Sequence, residues 1–262
     1  MAGTDRSKRR AADTAVLTSA PAVGLPMPDD GAARQGQSLT TPLPDDDDRD
    51  TVRRSEMNRR VAAITESLNG TAHAFAEAYL RRSAEILRTI PAGELAQVIA
   101  VLTAARAERR QVFICGNGGS AATASHFAAG LGKEGSAAHP NRFRALALTD
   151  NVAWLTSLAN DTDYTRVFVE QLKNHAEPDD VLIAFSGSGN SPNVLSAVEW
   201  ANAHGLATVG IIGRPGGELA ALARHCVRVG SDHMGHVEEG HFLIQHLITY
   251  YFMEAHADGR ER

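Results

Sequence analysis

The spacing of apolar positions changes once, and sharply, along the chain. From about Val52 to Arg110 apolar residues recur at helical intervals, as at Ile64, Leu68, Phe75, Tyr79 and Ile86, in a background of Ala, Leu, Glu and Arg. That pattern predicts two or three helices before any strand. From Gln111 onward, short apolar runs alternate with helical stretches: VFIC at 112–115, ALAL at 145–148, VLIAF at 181–185, ATVGII at 207–212 and CVRV at 226–229. Runs this short, separated in this way, predict an α/β fold with a parallel sheet covered by helices. The closing segment Val237–Glu254 carries apolar residues at 237, 244, 248 and 251, as a helix packed on one face would. Residues 1–54 lack aromatics, scatter Pro and Gly, and include the acidic run Asp45–Asp48. They are expected to be a disordered tail, because they cannot bury enough apolar surface to offset chain entropy, with residues 55–262 as the folded domain.

Composition narrows the function without deciding it. The 262 residues, 43% of them hydrophobic, suffice for one sizeable core. A net charge of −5 gives no overall attraction to nucleic acid or to anionic lipid, so neither is an expected partner. The two cysteines, Cys115 and Cys226, stand far apart inside apolar runs, which argues against a disulfide framework and for a reducing cytoplasm. No run reaches the roughly 18 uninterrupted apolar residues of a membrane helix. The basic residues Arg6, Lys8, Arg9 and Arg10 have no apolar segment behind them, so no export signal is expected.

Two glycine turns carry the chemistry. CGNGGS, Cys115–Ser120, lies directly behind the first apolar run and ahead of an alanine-rich helical stretch. A bare turn at the carboxyl end of a strand leaves backbone N–H groups facing an anion at the positive end of the next helix. Gly118 and Gly119 allow close approach, Asn117 tolerates unusual backbone geometry, and Ser120 can cap the helix or donate its hydroxyl. Taken alone, the turn could serve only tight packing. Gly116-x-Gly118-x-x-Ala121 also meets a loose dinucleotide fingerprint, but Asp150 lies too far on for the acidic residue that fingerprint needs. A second turn of the same kind, SGSGNS at Ser186–Ser191, ends the third apolar run, delivers Ser186, Gly187, Ser188 and Ser191 to a helix start, and is followed by Pro192. Two such turns can share one anion. Hydroxyls and amides with no Gly-Lys-Ser/Thr suit a phosphate monoester that must bind and leave, and favour a sugar phosphate over a nucleoside triphosphate.

With GNGGSAATASHF (116–127), ALTDNVAWLTSLAND (147–161), DVLIAFSGSGNSPNV (180–194) and GIIGRPGGELAALA (210–223) in order, the chain resembles the sugar isomerase (SIS) domain family, and within it the phosphoheptose isomerases. The resemblance spans roughly Ser55–Glu254. It implies a three-layer sandwich around a five-stranded parallel sheet, N-terminal helices used for assembly, and a homotetramer with sites at subunit interfaces. It also implies aldose–ketose isomerisation of sedoheptulose 7-phosphate, with no nucleotide cofactor. Substrate contacts would be Asn117, Gly118 and Gly119 in the first turn, Ser186, Ser188 and Ser191 in the second, and Asn160 and Asp161. Some members bind zinc, and here the corresponding positions read His126, Gly130, Glu238 and His246. Glycine at 130 replaces a glutamate that would be both ligand and base, Glu238 replaces a glutamine, and Glu134 replaces a basic residue.

Isomerisation needs a group that moves a proton between neighbouring carbons and a stabiliser for the enediolate oxygen. On the resemblance, Glu238 is assigned as base and His246 as its acid, with His126 and a zinc ion held by His126, Glu238 and His246 polarising the oxygens. One continuous helix would hold Glu238 and His246 about 12 Å apart along its axis, so one ion would require an interrupted helix or a ligand from another subunit. His241 shares a face with Val237, Ile244 and Ile248 and reads as a satisfied core histidine. The cluster His233, His236, Glu238, Glu239 and His241 is a weaker metal candidate. The alternative function is a non-catalytic member of the same family that binds a partner protein, as a replication-initiation regulator does, or senses a sugar phosphate.

Overall fold

The structure, a computed structural model, describes residues 46–137 and 139–257. Each apolar run forms a strand: β1 (Gln111–Cys115), β2 (Arg144–Ala147), β3 (Val181–Ser186), β4 (Ala207–Ile212) and β5 (His225–Arg228). All pair in parallel in the order β2-β1-β3-β4-β5. The two central strands are buried almost throughout, because helices cover both faces and leave no side for polar alternation. The covering helices are α2 (Ala92–Ala107), α3 (Gly119–Gly132), α4 (Val152–Asp161), α5 (Val169–His175), α6 (Pro192–Ala203), α7 (Leu219–Leu222) and α8 (Met234–Ala257). One core lies between the sheet and α2, α3 and α8, around Leu102, Phe127, Phe185, Ile244, Ile248 and Phe252. The other lies on the opposite face, around Phe113, Phe168, Leu172, Leu182 and Val198. The expected three-layer α/β sandwich with five parallel strands is therefore present.

The chain order reverses direction between β1 and β3: from β1 it moves outward to β2, then returns to β3 and continues to β4 and β5. Ligands of open parallel sheets bind in the crevice at such a reversal. Both glycine turns leave the carboxyl ends of these two adjacent strands.

The chain divides at Arg60, and the unit from Val61 contains the sheet. α1 runs unbroken from Asp46 to Leu87, so the expected boundary between residues 54 and 55 falls inside a helix. The acidic run that reads as a solvated tail is also tolerated at a helix start, where the positive end of the macrodipole lies. The rest of the expected tail, residues 1–45, lies outside the described residues. No single helix among the described residues is long and apolar enough to cross a membrane.

α3 and α8 lie side by side and run in the same direction, since Gly119 faces Glu238, His126 faces His246 and Gly130 faces Thr249. Gly130 permits this approach, because a β-carbon there would fall 2.9 Å from Thr249 Oγ1. Near the far end of the pair, the buried Arg106 donates to the Gly135 carbonyl at 3.2 Å and lies over the rings of Phe143 and Phe252, at 5.0 and 4.8 Å. Phe252→Ala should lower unfolding free energy by about 3–5 kcal/mol, through the lost burial and the cavity left behind. Urea unfolding followed by circular dichroism checks this, with the secondary structure of the folded variant unchanged.

Candidate active site

The second turn is built to offer hydroxyl protons. Ser186 Oγ accepts the Gly189 N–H at 3.1 Å and Ser188 Oγ accepts the Asn190 N–H at 3.2 Å. Each oxygen thus anchors the loop and leaves its own O–H to donate elsewhere, Ser188 outward and Ser186 toward Ser191 Oγ, 3.5 Å away, or toward an anion that displaces this contact. Ser188 is exposed and Ser191 half-buried at the start of α6, with Pro192 at the first helical position. Gly189 has φ +70°, and a side chain there would overlap the Gly216 carbonyl. The loop 213–218 supports the turn from behind: Gly213 N–H donates to the Gly187 carbonyl at 3.2 Å, and Glu218 N–H to Asn190 Oδ1 at 2.9 Å.

The first turn differs from expectation in two ways. Gly118, at φ 55°, caps α3 with no side-chain hydrogen bond, while Ser120 is buried against Gly116 instead of capping. The anion position at the α3 start is also taken by the chain itself. Glu238 rests on Gly119 so closely that a β-carbon there would fall 2.7 Å from Glu238 Cδ. A carboxylate is favoured at the positive end of a helix. Glu238 therefore occupies the position at the α3 start where an anion sharing both turns would sit. Asn117 joins the turns: its amide exchanges hydrogen bonds with Asn193 at 2.9 and 2.8 Å, and Tyr164 Oη donates to its Oδ1 at 3.0 Å. Asn193 and Tyr164 were missed as site residues. Their signal was only an asparagine after the Ser-Pro helix start and a tyrosine three residues past the Asn160–Asp161 pair. Asn160 and Asp161 are exposed, and Asn160 Nδ2 donates to Asp161 Oδ1 at 2.8 Å.

α8 roofs both turns. A β-carbon on Gly187 would meet Met234 Cε at 3.0 Å and Val237 at 3.7 Å, while Glu238 sits over Gly119. The helix is continuous, so Glu238 and His246 stand two turns apart, about 12 Å along the axis. They do not form one base and acid pair within a chain. His246 instead meets His126, their Nε2 atoms 3.1 Å apart, with Phe242 tilted against the His126 ring and edge-on to the His246 ring.

The donors within one chain do not suit the expected zinc. Two imidazole nitrogens at this separation match two corners of a tetrahedral ion, which spans about 3.3 Å between nitrogen ligands. Glu238 is too far away, residue 130 is glycine, and no group of three or more His, Cys, Asp or Glu among the described residues could hold a metal. The candidate cluster His233, His236, Glu238, Glu239 and His241 likewise brings no three such donors together among the described residues. Ser83 Oγ donates to Glu239 at 2.7 Å and lies 3.1 Å from His236 Nδ1, joining α1 to the start of α8.

His241 is a core residue, as expected; neither ring nitrogen makes a well-formed hydrogen bond, and the Ile212 carbonyl gives it only a weak contact. Burial pushes it down to about 4, with the Ile212 carbonyl opposing. Cys115 is pushed up to about 12 by burial and is no nucleophile.

Paired turns at the sheet reversal, one of them rich in free hydroxyls, define a class of α/β protein that binds a small phosphate ester. The family model described as SIS domain matches residues 75–213, and the chain belongs to the SIS domain family. It is 39% identical over 157 residues to the phosphoheptose isomerase of Akkermansia muciniphila, covering 60% of this chain and 82% of that one. The solved phosphoheptose isomerase of Francisella tularensis superposes with TM-score 0.62 at 28% identity, over 71% of this chain and 97% of that one. That of Neisseria gonorrhoeae gives 0.61 at 29%, over 75% and 98%.

Two outcomes follow. Gly187→Leu should weaken phosphate-ester binding, because its side chain takes the space of Met234 Sδ, 2.5 Å from a β-carbon there, and forces the turn and α8 apart; calorimetry measures this, while the urea midpoint moves far less than binding does. For His241, the folded value lies below its ordinary 6.5, so the unfolded chain binds the extra proton between those values. Its contribution is full above pH 6.5 and falls by about 3 kcal/mol as pH drops toward 4. His241→Leu should lose correspondingly less stability between pH 7 and 4.5 in urea titrations.

Proposed function

We propose that the protein is an aldose–ketose isomerase that interconverts sedoheptulose 7-phosphate and a heptose 7-phosphate aldose by proton transfer through an enediol. The observation that carries this reading is the second turn, whose Ser186 and Ser188 oxygens accept backbone N–H groups and so present their protons to a phosphate at the α6 start. The first turn, with Glu238 over Gly119, then binds sugar hydroxyls, since a carboxylate beside a phosphate-bound sugar is an acceptor for them. Identity to phosphoheptose isomerases over most of their length supports the same substrate class.

Because Glu238 and the His126–His246 pair lie two turns apart along α8, the reading includes assembly: the turns of one copy and the histidine pair of another complete one site. Exposed apolar residues on α1 (Ile64, Leu68, Phe75) and on α8 (Phe242, Leu247, Tyr251) are the surfaces such a homotetramer would bury. No step of this reading runs through a metal.

Proton NMR of the purified chain with sedoheptulose 7-phosphate in deuterated water tests the reading. Aldose signals, and deuterium on the carbon beside the carbonyl, are expected. Binding with neither product nor exchange would favour the sensor or partner-binding alternative. Ser188→Ala should raise KM about tenfold or more, as the loss of a hydrogen bond to a charged group implies, with kcat within a few-fold in steady-state kinetics.

A further inference from the structure

Between α3 and α8, beyond the histidine pair, lies a cleft of about 580 Å³. Its lining includes His126, Lys133, Glu134, Gln245, His246 and Thr249. Two of its polar residues are buried and idle: Gln245 is 0% and Thr249 2% exposed, and neither amide atom of Gln245 nor the Thr249 hydroxyl has a hydrogen-bond partner. Buried polar groups are nearly always bonded, and a set of unbonded ones lining a cleft points to a polar ligand. The helix pair creates the space for it, because Gly130 carries no side chain into the gap beside Thr249. Glu134 is the one carboxylate lining the cleft among the described residues. Lys133 Nζ lies 3.0 Å from its Oε1, a contact that orients the carboxylate.

We propose that this cleft is the proton-transfer end of the site, with Glu134 as the catalytic base and Gln245 and Thr249 binding the substrate oxygens. The inference rests on the isomerase reading and names the base within it. From the ketose, Glu134 takes a proton from C1. The C1–H electron pair becomes the C1=C2 bond of the enediol, and the carbonyl pair settles on O2, which receives a proton from the histidine pair. The proton on Glu134 then returns to C2, and the O1 proton passes to the histidine pair as the carbonyl forms at C1. A hydrogen-bonded imidazole pair has one nitrogen to give a proton and one to take it, so it ends the cycle as it began.

The test compares wild-type chain, Glu134→Gln, Glu134→Asp and Glu238→Gln with sedoheptulose 7-phosphate, reading kcat, KM and deuterium exchange. Glu134→Gln should lower kcat by about 100-fold or more, the usual weight of a general base, with loss of exchange and KM within a few-fold. Glu134→Asp should recover part of the rate, and Glu238→Gln should raise KM with exchange retained. Exchange retained in Glu134→Gln, or lost in Glu238→Gln alone, would overturn the assignment while leaving the isomerase reading intact. A wild-type chain that binds without exchange would overturn both.

Discussion

The close packing of α8 against glycine backbone is the constraint on which the site depends. At Gly119 and Gly187 the absence of a side chain lets Glu238 and Met234 settle directly onto the two turns, and at Gly130 it lets Thr249 approach α3. An extra methyl at Gly119 or Gly187 would displace the end of the Glu238 or Met234 side chain, and at Gly130 it would press on Thr249. One helix therefore sets the roof of the phosphate turn, the position of the carboxylate at the α3 start and the width of the cleft further along. The Ser83, His236 and Glu239 contacts join the start of that helix to α1, within the same compact unit.

Electrostatics then divides the labour of the two turns. Both helix starts carry positive dipole ends, and without the roof both would attract anions. Glu238 offsets one of them from within the chain, which under the proposed function leaves the phosphate to the other, beside the serine hydroxyls of the second turn. A substitution that removes the Glu238 charge alters where an anion can bind as well as how a sugar hydroxyl is held.

Much of this was legible in the sequence. Short apolar runs with glycine turns behind two of them identify strands, their parallel arrangement and the phosphate chemistry, because strand burial and turn geometry are local requirements. The closing helix was readable from its apolar spacing, and its continuity already implied that Glu238 and His246 could not converge. What remained hidden is what depends on pairs distant in sequence. Nothing local says that Glu238 would fill the anion position of the first turn, that Asn117 would link to Asn193 and Tyr164, or that Ser120 would turn inward. Glu134 stands out in the sequence only as replacing a basic residue, and Gln245 and Thr249 belong to no motif, until the α3–α8 cleft brings them together. The acidic run Asp45–Asp48 did not reveal where α1 begins, because the same charges suit a tail and a helix start.

A crystal structure of the assembled protein with sedoheptulose 7-phosphate bound is the most direct test of this account. The phosphate is predicted against Ser186, Ser188 and Ser191 at the α6 start, Glu238 still seated on Gly119, and the carbonyl end of the sugar in an α3–α8 cleft. Phosphate at Gly118 and Gly119 with Glu238 displaced would contradict it.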